Sequence, residues 1–200
     1  MNRIIRIDPK LKEVELRHKP RIVRVNSFDE ESATLFIKEI SMAHNTGQSF
    51  IPVVIDSYGG EVYSLLAMIS AIKNSSLPVA TVVEGKAMSC GVVLFSCGQK
   101  GMRYIAEEST LMIHDVSDWV HGKNPEIQAS AKESKRLNKL LYEILSDNCG
   151  KKKDYFWNEV QKRGRADWYI TPKNAVRLNL ADYIGLPTLH VDIKVDISLK

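Results

Sequence analysis

The distribution of apolar residues from position 21 onward predicts short buried strands that alternate with helices. Continuous or alternating apolar runs predict five strands, at 21–25, 51–55, 79–83, 102–105 and 110–113. Apolar residues at helical spacing predict helices at about 29–42, 61–73 and 92–97. Ser27 is a candidate cap for the first helix, and the acidic residues that follow it suit a helix N-terminus. Apolar strands joined by helices are typical of a parallel sheet covered by helices, and therefore of the α/β class.

The second half of the chain is predicted to be mainly helical. Helical spacing and capping patterns predict helices at 124–148, 154–164 and 171–178. The first of these has Asn124 as its expected cap and Pro125 in its first turn. Residues 189–199 alternate strictly between apolar and polar, which predicts a half-buried strand with a charged outer face. The first 20 residues are broken by prolines and are expected to form an arm.

Composition and charge exclude several classes of protein. The chain has 200 residues, with 44% hydrophobic and 26% charged, and this length suits one globular domain. The net charge of +4 is spread along the chain, which disfavours a nucleic-acid-binding protein. No run approaches 18 apolar residues, so we expect no membrane span, and no signal peptide is visible. Three cysteines without paired spacing indicate a reducing compartment, and we expect a cytoplasmic protein.

The segment Ala87-Met88-Ser89-Cys90-Gly91 is the first candidate for chemistry. It lies in a turn predicted at 84–89, between an apolar strand and an apolar helix. Small residues two before and two after a serine are typical of a sharp strand-to-helix turn. Such a turn exposes the hydroxyl group and leaves the following amide N–H free at the helix N-terminus. Ser89 is therefore a candidate nucleophile, and a small helix-capping serine is the structural alternative.

A serine nucleophile needs a base, and His114 is the best candidate because it ends an apolar strand of the predicted sheet. A hydrogen-bonded structural histidine explains the same position. The other histidines lie in the arm, at a helix end, in a polar loop or on the last strand: His18, His44, His121 and His190. The acid that would orient the base stays open among five aspartates near predicted element ends: Asp56, Asp115, Asp118, Asp167 and Asp182.

Three alternatives to a serine–histidine pair are weaker. Cys90 would supply a thiol nucleophile, and Lys86 would supply the base of a serine–lysine dyad. A metal held by His114 and His121 is rejected because seven residues across a loop is not ligand spacing. The chain also lacks a glycine-rich phosphate loop, so we expect it not to bind ATP.

The order of these residues resembles the Clp protease proteolytic subunit (ClpP) family of serine peptidases over residues 54–182. Four motifs carry the resemblance: Ser57-Tyr58-Gly59-Gly60, Gly85-Lys86-Ala87-Met88-Ser89-Cys90-Gly91, Met112-Ile113-His114, and Asp167-Trp168-Tyr169-Ile170-Thr171. Asn179-Leu180-Ala181-Asp182 is similar to the family's terminal motif.

The resemblance implies a role for each matched position. Ser89 would be the nucleophile, His114 the base and Asp167 the acid that holds the imidazole. The backbone N–H groups of Gly60 and Cys90 would form the oxyanion hole. Four further positions would contact the substrate: Gly59, Val62, Asp115 and Val116.

The resemblance also implies an architecture and partners. The fold would be of the ClpP/crotonase type, with repeated strand–turn–helix units and a helical handle at about 115–148. An arm at 1–20 would precede a peptidase domain at 21–200. The subunits would form a heptameric ring, often doubled, and an AAA+ unfoldase would feed it polypeptide substrates. ATP would be used by that partner, so this chain would need no cofactor.

The chain departs from the family pattern at three places. Tyr58 stands where the family has a proline, and Asp115-Val116-Ser117-Asp118-Trp119 replaces a Gln/Asn-Pro pair and a following glycine pair. Ala166 stands where the family has an arginine, with Arg165 one place earlier. Three rival functions therefore stay open: a processing protease dedicated to one assembly partner, an inactive scaffold subunit of a mixed ring, and a crotonase-like acyl-CoA enzyme.

Overall fold

The computed structural model of this chain describes residues 20–117 and 120–190. Within them the strands are β1 (Val23–Val25), β2 (Ile51–Ser57), β3 (Val79–Met88), β4 (Arg103–Ile105), β5 (Thr110–Ile113), β6 (Trp168–Ile170) and β7 (Tyr183–Ile184). The helices are α1 (Glu30–Ala43), α2 (Val62–Lys73), α3 (Cys90–Ser96), α4 (Asn124–Asn148), α5 (Tyr155–Lys162) and α6 (Pro172–Arg177). Strands and helices alternate through α3, as the sequence predicts.

The strands form one sheet that branches at β3. The main path runs β1-β2-β3-β4-β7, and every pairing along it is parallel. The first half of β3 pairs with β4, whereas its last three residues pair with β5. The short strand β6 then pairs with β5 in the antiparallel sense. The predicted α/β class with a parallel-dominated sheet is confirmed.

Helix α3 lies at the centre of the core. All seven of its residues are buried, and it packs against β2, β3 and β5 as well as α2 and α4. The strand residues beneath it are apolar on both faces, since β2 is buried from Ile51 to Ile55 and β3 from Val79 to Val83. Helix α4 carries α5 on its other side. Because α3 is buried and begins two residues after the end of β3, the single residue between them, Ser89, has a fixed position.

One buried ion pair ties the segment that precedes β7 to strand β4. The Arg103 side chain is 2% exposed, and its guanidinium donates to both carboxylate oxygens of Asp182 at 2.7 and 2.9 Å. It also donates to the carbonyl oxygen of Asn179 at 2.8 Å. Burial opposes ionisation of Asp182, but the hydrogen bonds and charge of Arg103 outweigh it and lower the pKa of that carboxyl. Asp182 therefore has a structural role.

Several sequence predictions of element boundaries are wrong. Asp29, not Ser27, caps α1, since its carboxylate accepts the N–H of Ser32 at 2.7 Å. Lys123, not Asn124, is the cap residue of α4. The segment predicted as a turn at 84–89 continues β3 to Met88, because β5 pairs with it beyond the end of β4.

Other predictions cannot be compared with the structure. The arm up to residue 19, Asp118, and the predicted strand beyond residue 190 lie outside the described residues. Strands β6 and β7 are additional to the prediction. In the part of the chain that the structure describes, no helix is both long and apolar enough to cross a membrane.

Candidate active site

Ser89 lies in a strained turn between β3 and α3. Its backbone has φ 54° and ψ −118°, a left-handed conformation that costs a non-glycine residue about 1–3 kcal/mol. The N–H of Ser89 donates to the carbonyl oxygen of Met112 at 2.9 Å, which extends the β3–β5 ladder by one bond. Helix α3 begins at the next residue. The sharp strand-to-helix turn predicted at Ser89 is confirmed.

Glycine is required opposite this turn. A Cβ atom at Gly59 would lie 2.7 Å from the Cβ of Ser89 and 3.0 Å from the carbonyl oxygen of Met88. The loop at 57–60 therefore packs directly on the Ser89 turn only because Gly59 has no side chain. The N–H of Gly59 donates to the hydroxyl of Ser57 at 3.1 Å, which holds the loop against the end of β2.

The end of β5 brings His114 to Ser89. The Nε2 atom of His114 lies 2.8 Å from the hydroxyl oxygen of Ser89, within hydrogen-bonding distance. The His114 side chain is 25% exposed, so it can exchange protons with solvent. His44 is structural by contrast, since its Nδ1 and Nε2 lie 2.8 Å from the carbonyl oxygen of Ile40 and 3.1 Å from the Ser75 hydroxyl. His121 and His190 are exposed.

Asp167 is the candidate acid that faces His114. It directly precedes β6, and the pairing of Trp168 with Ile113 carries it to the end of β5. Its Oδ1 atom lies 3.6 Å from the Nδ1 atom of His114, which is close enough for an ion pair but too long for a hydrogen bond.

The other described aspartates have different partners. Asp56 accepts from Lys86, Asp115 from Tyr142, and Asp182 from Arg103. The choice among acids that the sequence left open is therefore narrowed to Asp167 within the described residues.

Gly60 and Cys90, the two residues predicted to form the oxyanion hole with their backbone N–H groups, lie next to each other. Cys90 is the first residue of α3, so its N–H has no acceptor within the helix. The Cys90 thiol donates to the carbonyl oxygen of Gly60 at 3.2 Å and links the two segments. Burial raises the pKa of this thiol to about 11. A thiol that stays protonated at neutral pH argues against the alternative of a Cys90 nucleophile.

Lys86 is likewise a poor candidate for the base. Its Nζ atom donates to the Asp56 carboxylate at 2.8 Å and lies 4.4 Å from the centre of the Tyr58 ring. The hydrogen bond to Asp56 raises the pKa of the Lys86 ammonium group. Lys86 thus belongs to a separate cluster with Asp56 and Tyr58, the residue that replaces the family's turn proline.

A cavity of about 410 Å³ opens beside Ser89 and His114. Its wall is mainly apolar and comes from α2, α3, the end of β5 and α4: Val62, Val92, Val93, Ile113, Val116, Leu137, Leu141 and Leu145. Glu133, Ser134 and Asn138 supply polar groups from α4. Leu137, Leu141 and Leu145 follow helical spacing within α4, but that spacing does not indicate that they also border a cavity.

Two of the four predicted substrate-contact residues line this cavity. They are Val62 and Val116, and the N–H of Val116 already donates to the Asn138 side chain at 2.6 Å. Gly59 instead backs the Ser89 turn, and the Asp115 carboxylate faces Tyr142. Substrate contact by all four residues stays a prediction. The described residues contain no group of three or more His, Cys, Asp or Glu side chains arranged to hold a metal ion.

Comparison with known proteins gives two findings. A family model described as Clp protease matches residues 12–187. The chain is also similar to an ATP-dependent Clp protease proteolytic subunit from Deinococcus radiodurans, with 31% identity over 134 residues. That alignment covers 67% of this chain and 64% of the relative, so this chain spans less than two thirds of the relative's length.

Proposed function

This chain belongs to the Clp protease family, and from that premise we propose that it is a serine endopeptidase whose nucleophile is Ser89. The observation that carries the proposal is the 2.8 Å contact between the Ser89 hydroxyl and the His114 imidazole, in a left-handed turn beside an apolar cavity. A strained non-glycine residue needs surroundings that hold it in place, and such strain concentrates at active sites.

The chemistry follows from the positions of the two side chains. As Ser89 attacks the scissile carbonyl carbon, Nε2 of His114 takes the hydroxyl proton and then gives it to the leaving amine. The product is an ester between Ser89 and the acyl half of the substrate. A water molecule, deprotonated by His114, then hydrolyses the ester and restores the Ser89 hydroxyl. Asp167 faces the other imidazole nitrogen and stabilises the imidazolium that forms during each step.

The N–H groups of Gly60 and Cys90 would stabilise the oxyanion. The negative charge that develops on the carbonyl oxygen needs donors that are already oriented, and removal of one such donor costs about 2.7–4 kcal/mol of barrier. Support for this pair comes from the free N–H at the start of α3 and from the Cys90 thiol, which links Cys90 to Gly60.

The cavity would receive an apolar side chain of the substrate. Its volume of about 410 Å³ and its wall of aliphatic residues suit a large side chain such as leucine, methionine or phenylalanine. The polar groups of α4 lie in the same wall, where they can bind the peptide backbone.

We also propose the assembly that the family resemblance implies. The relative from Deinococcus radiodurans is named as a proteolytic subunit of an ATP-dependent protease. This chain would accordingly form a heptameric ring, single or doubled, that receives unfolded polypeptides from an AAA+ unfoldase in the cytoplasm. Its division into an arm at 1–20 and a peptidase domain at 21–200 belongs to the same proposal.

A fluorophosphonate probe tests the proposed nucleophile. We expect stoichiometric labelling of the parent protein at Ser89, and no labelling or peptide hydrolysis by Ser89→Ala. Ser117→Ala is the matched control, because Ser117 is an exposed serine in the same cavity. We expect the control to be labelled like the parent. An assembled parent that neither reacts with the probe nor cuts peptides would instead favour the scaffold subunit.

A further inference from the structure

Arg165 lies two residues before Asp167 in the loop between α5 and β6. Its backbone is left-handed, with φ 61°, which is unfavourable for an arginine. The Nε atom lies 3.4 Å from Oδ2 of Asp115 and donates to the Gln161 side chain at 3.2 Å. The guanidinium lies 5.6 Å from the centre of the Trp157 ring. The arginine therefore reaches from the Asp167 loop back to the residue that follows His114.

The second oxygen of the Asp115 carboxylate is also engaged. Tyr142 of α4 donates its hydroxyl to Oδ1 of Asp115 at 2.7 Å. The Tyr142 side chain is buried, and its ring packs edge-on against Trp157 with centroids 5.9 Å apart. Burial, together with the hydrogen bond to Asp115, raises the pKa of Tyr142, so its hydroxyl stays a donor. Asp115 is thus held by a rigid element on one side and by Arg165 on the other.

We propose that Asp115 and Arg165 form a clamp that positions Asp167 against His114; this rests on the proposed serine peptidase function. The two triad side chains are already connected through the β5–β6 ladder, which ends at the pairing of Ile113 with Trp168. The clamp is a second connection between the same two segments, through Asp115 and Arg165. With both in place, the loop that carries Asp167 is connected to the β5 end at two points.

A purely stabilising role explains these contacts less well. The Arg165 side chain is 53% exposed, and ion pairs with an exposed partner contribute little to folding stability. The neighbouring Arg163 has a separate set of partners, the Glu159 carboxylate at 2.8 Å and the Trp168 ring at 3.9 Å. Arg165 adopts an unfavourable backbone conformation and is directed to the far side of the loop, where Asp115 lies.

The clamp is tested by a double-mutant cycle. Asp115→Asn keeps the shape and an acceptor for Tyr142 but removes the charge, and Arg165→Gln removes the cation. A displacement of about 1 Å at a catalytic group can reduce the rate by about 10²-fold, so a partial displacement of Asp167 should lower kcat by roughly tenfold. We expect each single variant to show this loss in kcat, and Arg165→Gln, which changes no predicted substrate contact, should change KM by less than about twofold. The double variant should be no slower than the slower single variant, because both remove one interaction.

Three further variants separate positioning from loop stability. Arg165→Lys keeps a cation, so the decrease in log kcat should be at most half of the decrease that Arg165→Gln shows. Arg163→Gln removes an arginine of the same loop that does not contact Asp115, and it should keep the parental kcat. If Asp115→Asn fails to fold, Tyr142→Phe takes its place. We expect Tyr142→Phe to have a lower kcat at unchanged KM, and a parental kcat would count against the clamp.

The rates are expressed per Ser89 labelled by fluorophosphonate, and the oligomer mass is measured for each variant. Three results would overturn the clamp. The losses in kcat could add in the double variant, Arg163→Gln could lose as much activity as Arg165→Gln, or the single variants could keep the parental kcat. In each of those cases an active, probe-reactive parent leaves the peptidase proposal intact. A parent that fails to react with the probe overturns the peptidase proposal itself.

Discussion

The substitution Gly60→Ala tests the backbone of the candidate oxyanion hole separately from the side chains of the proposed triad. Gly60 has φ +152°, and a Cβ atom built on it would lie 2.4 Å from the carbonyl oxygen of Phe28 and 3.0 Å from the Cβ of Phe28. Phe28 cannot move aside, because its side chain is 2% exposed and belongs to the core. The carbonyl oxygen of Phe28 also accepts the N–H of Glu61 at 2.7 Å. The loop that carries Gly60 must therefore yield.

The size of the displacement sets the size of the effect. Carbon and oxygen atoms in ordinary contact lie about 3.4 Å apart, so the new Cβ has to move by about 1 Å. A shift of that size takes the N–H of Gly60 out of hydrogen-bonding geometry with the oxyanion. Loss of one such donor raises the barrier by about 2.7–4 kcal/mol, which lowers kcat by about 10²–10³-fold.

The assay is hydrolysis of a short fluorogenic peptide, with circular dichroism and oligomer mass as checks on folding. Gly47→Ala is the matched control, because Gly47 also has positive φ, at 86°, but no atom of the described residues would lie within 4 Å of its added Cβ. We expect the control to keep parental activity. A folded, assembled Gly60→Ala protein with kcat within about threefold of the parent would refute the assignment of Gly60.

Three other predictions concern the thiols, the buried ion pair and the cavity. Burial raises the pKa of Cys90 to about 11, so only about one Cys90 thiol in a thousand is ionised at pH 8. Treatment with iodoacetamide at pH 8 should therefore leave the peptidase activity near its starting level. Rapid inactivation would reopen the hypothesis of a Cys90 nucleophile. Asp182→Asn should lower the free energy of unfolding by about 3–5 kcal/mol in urea titrations at pH 7, because it leaves the buried charge of Arg103 unpaired. Since the pKa of Asp182 is lowered in the folded protein, the parent has this stabilisation above about pH 4 and loses it as the pH falls through the lowered pKa. Asp182→Asn should lack that acid-dependent loss of stability. Equal losses of stability in both proteins between pH 7 and pH 3 would contradict this role of Asp182. Leu137→Trp should fill part of the 410 Å³ cavity and reduce kcat/KM at least tenfold for peptides cut after leucine, but not for peptides cut after alanine. An equal effect on both peptides would argue against the cavity as the pocket for the substrate side chain.

The central strands and the Ser89 turn could be predicted because their physical causes are local. Strands β2 and β3 are covered on both faces, so their buried residues form continuous apolar runs. The Ser89 turn needs small neighbours, and these are visible within five residues of sequence. His114 could be identified because it directly follows a buried strand, which is where side chains leave a parallel sheet.

The parts that sequence reasoning misses depend on contacts between distant segments. The extension of β3 contains the exposed residues Glu84 and Gly85, and its last residues stay extended because they pair with β5 and, at Ala87, with Ser57 of β2. Strand β6 has three residues, which are too few for a period-2 pattern to be recognised in the sequence. Residue spacing left the acid open among five aspartates, and only the family resemblance implied Asp167; the β5–β6 pairing shows how Asp167 comes to face His114.

The branched sheet divides the proposed triad between segments that should differ in how readily they open. Ser89 directly follows β3 and His114 directly follows β5, and both strands pack against the buried helix α3. Asp167 depends on β6, a three-residue strand at the outer end of the branch. Short edge segments with exposed hydrogen bonds open locally long before a domain unfolds as a whole. Amide hydrogens of β6 should therefore exchange faster than those of β3. Mild denaturant would then reversibly abolish the proposed peptidase activity while the helical content is intact, because β6 would open before the core does.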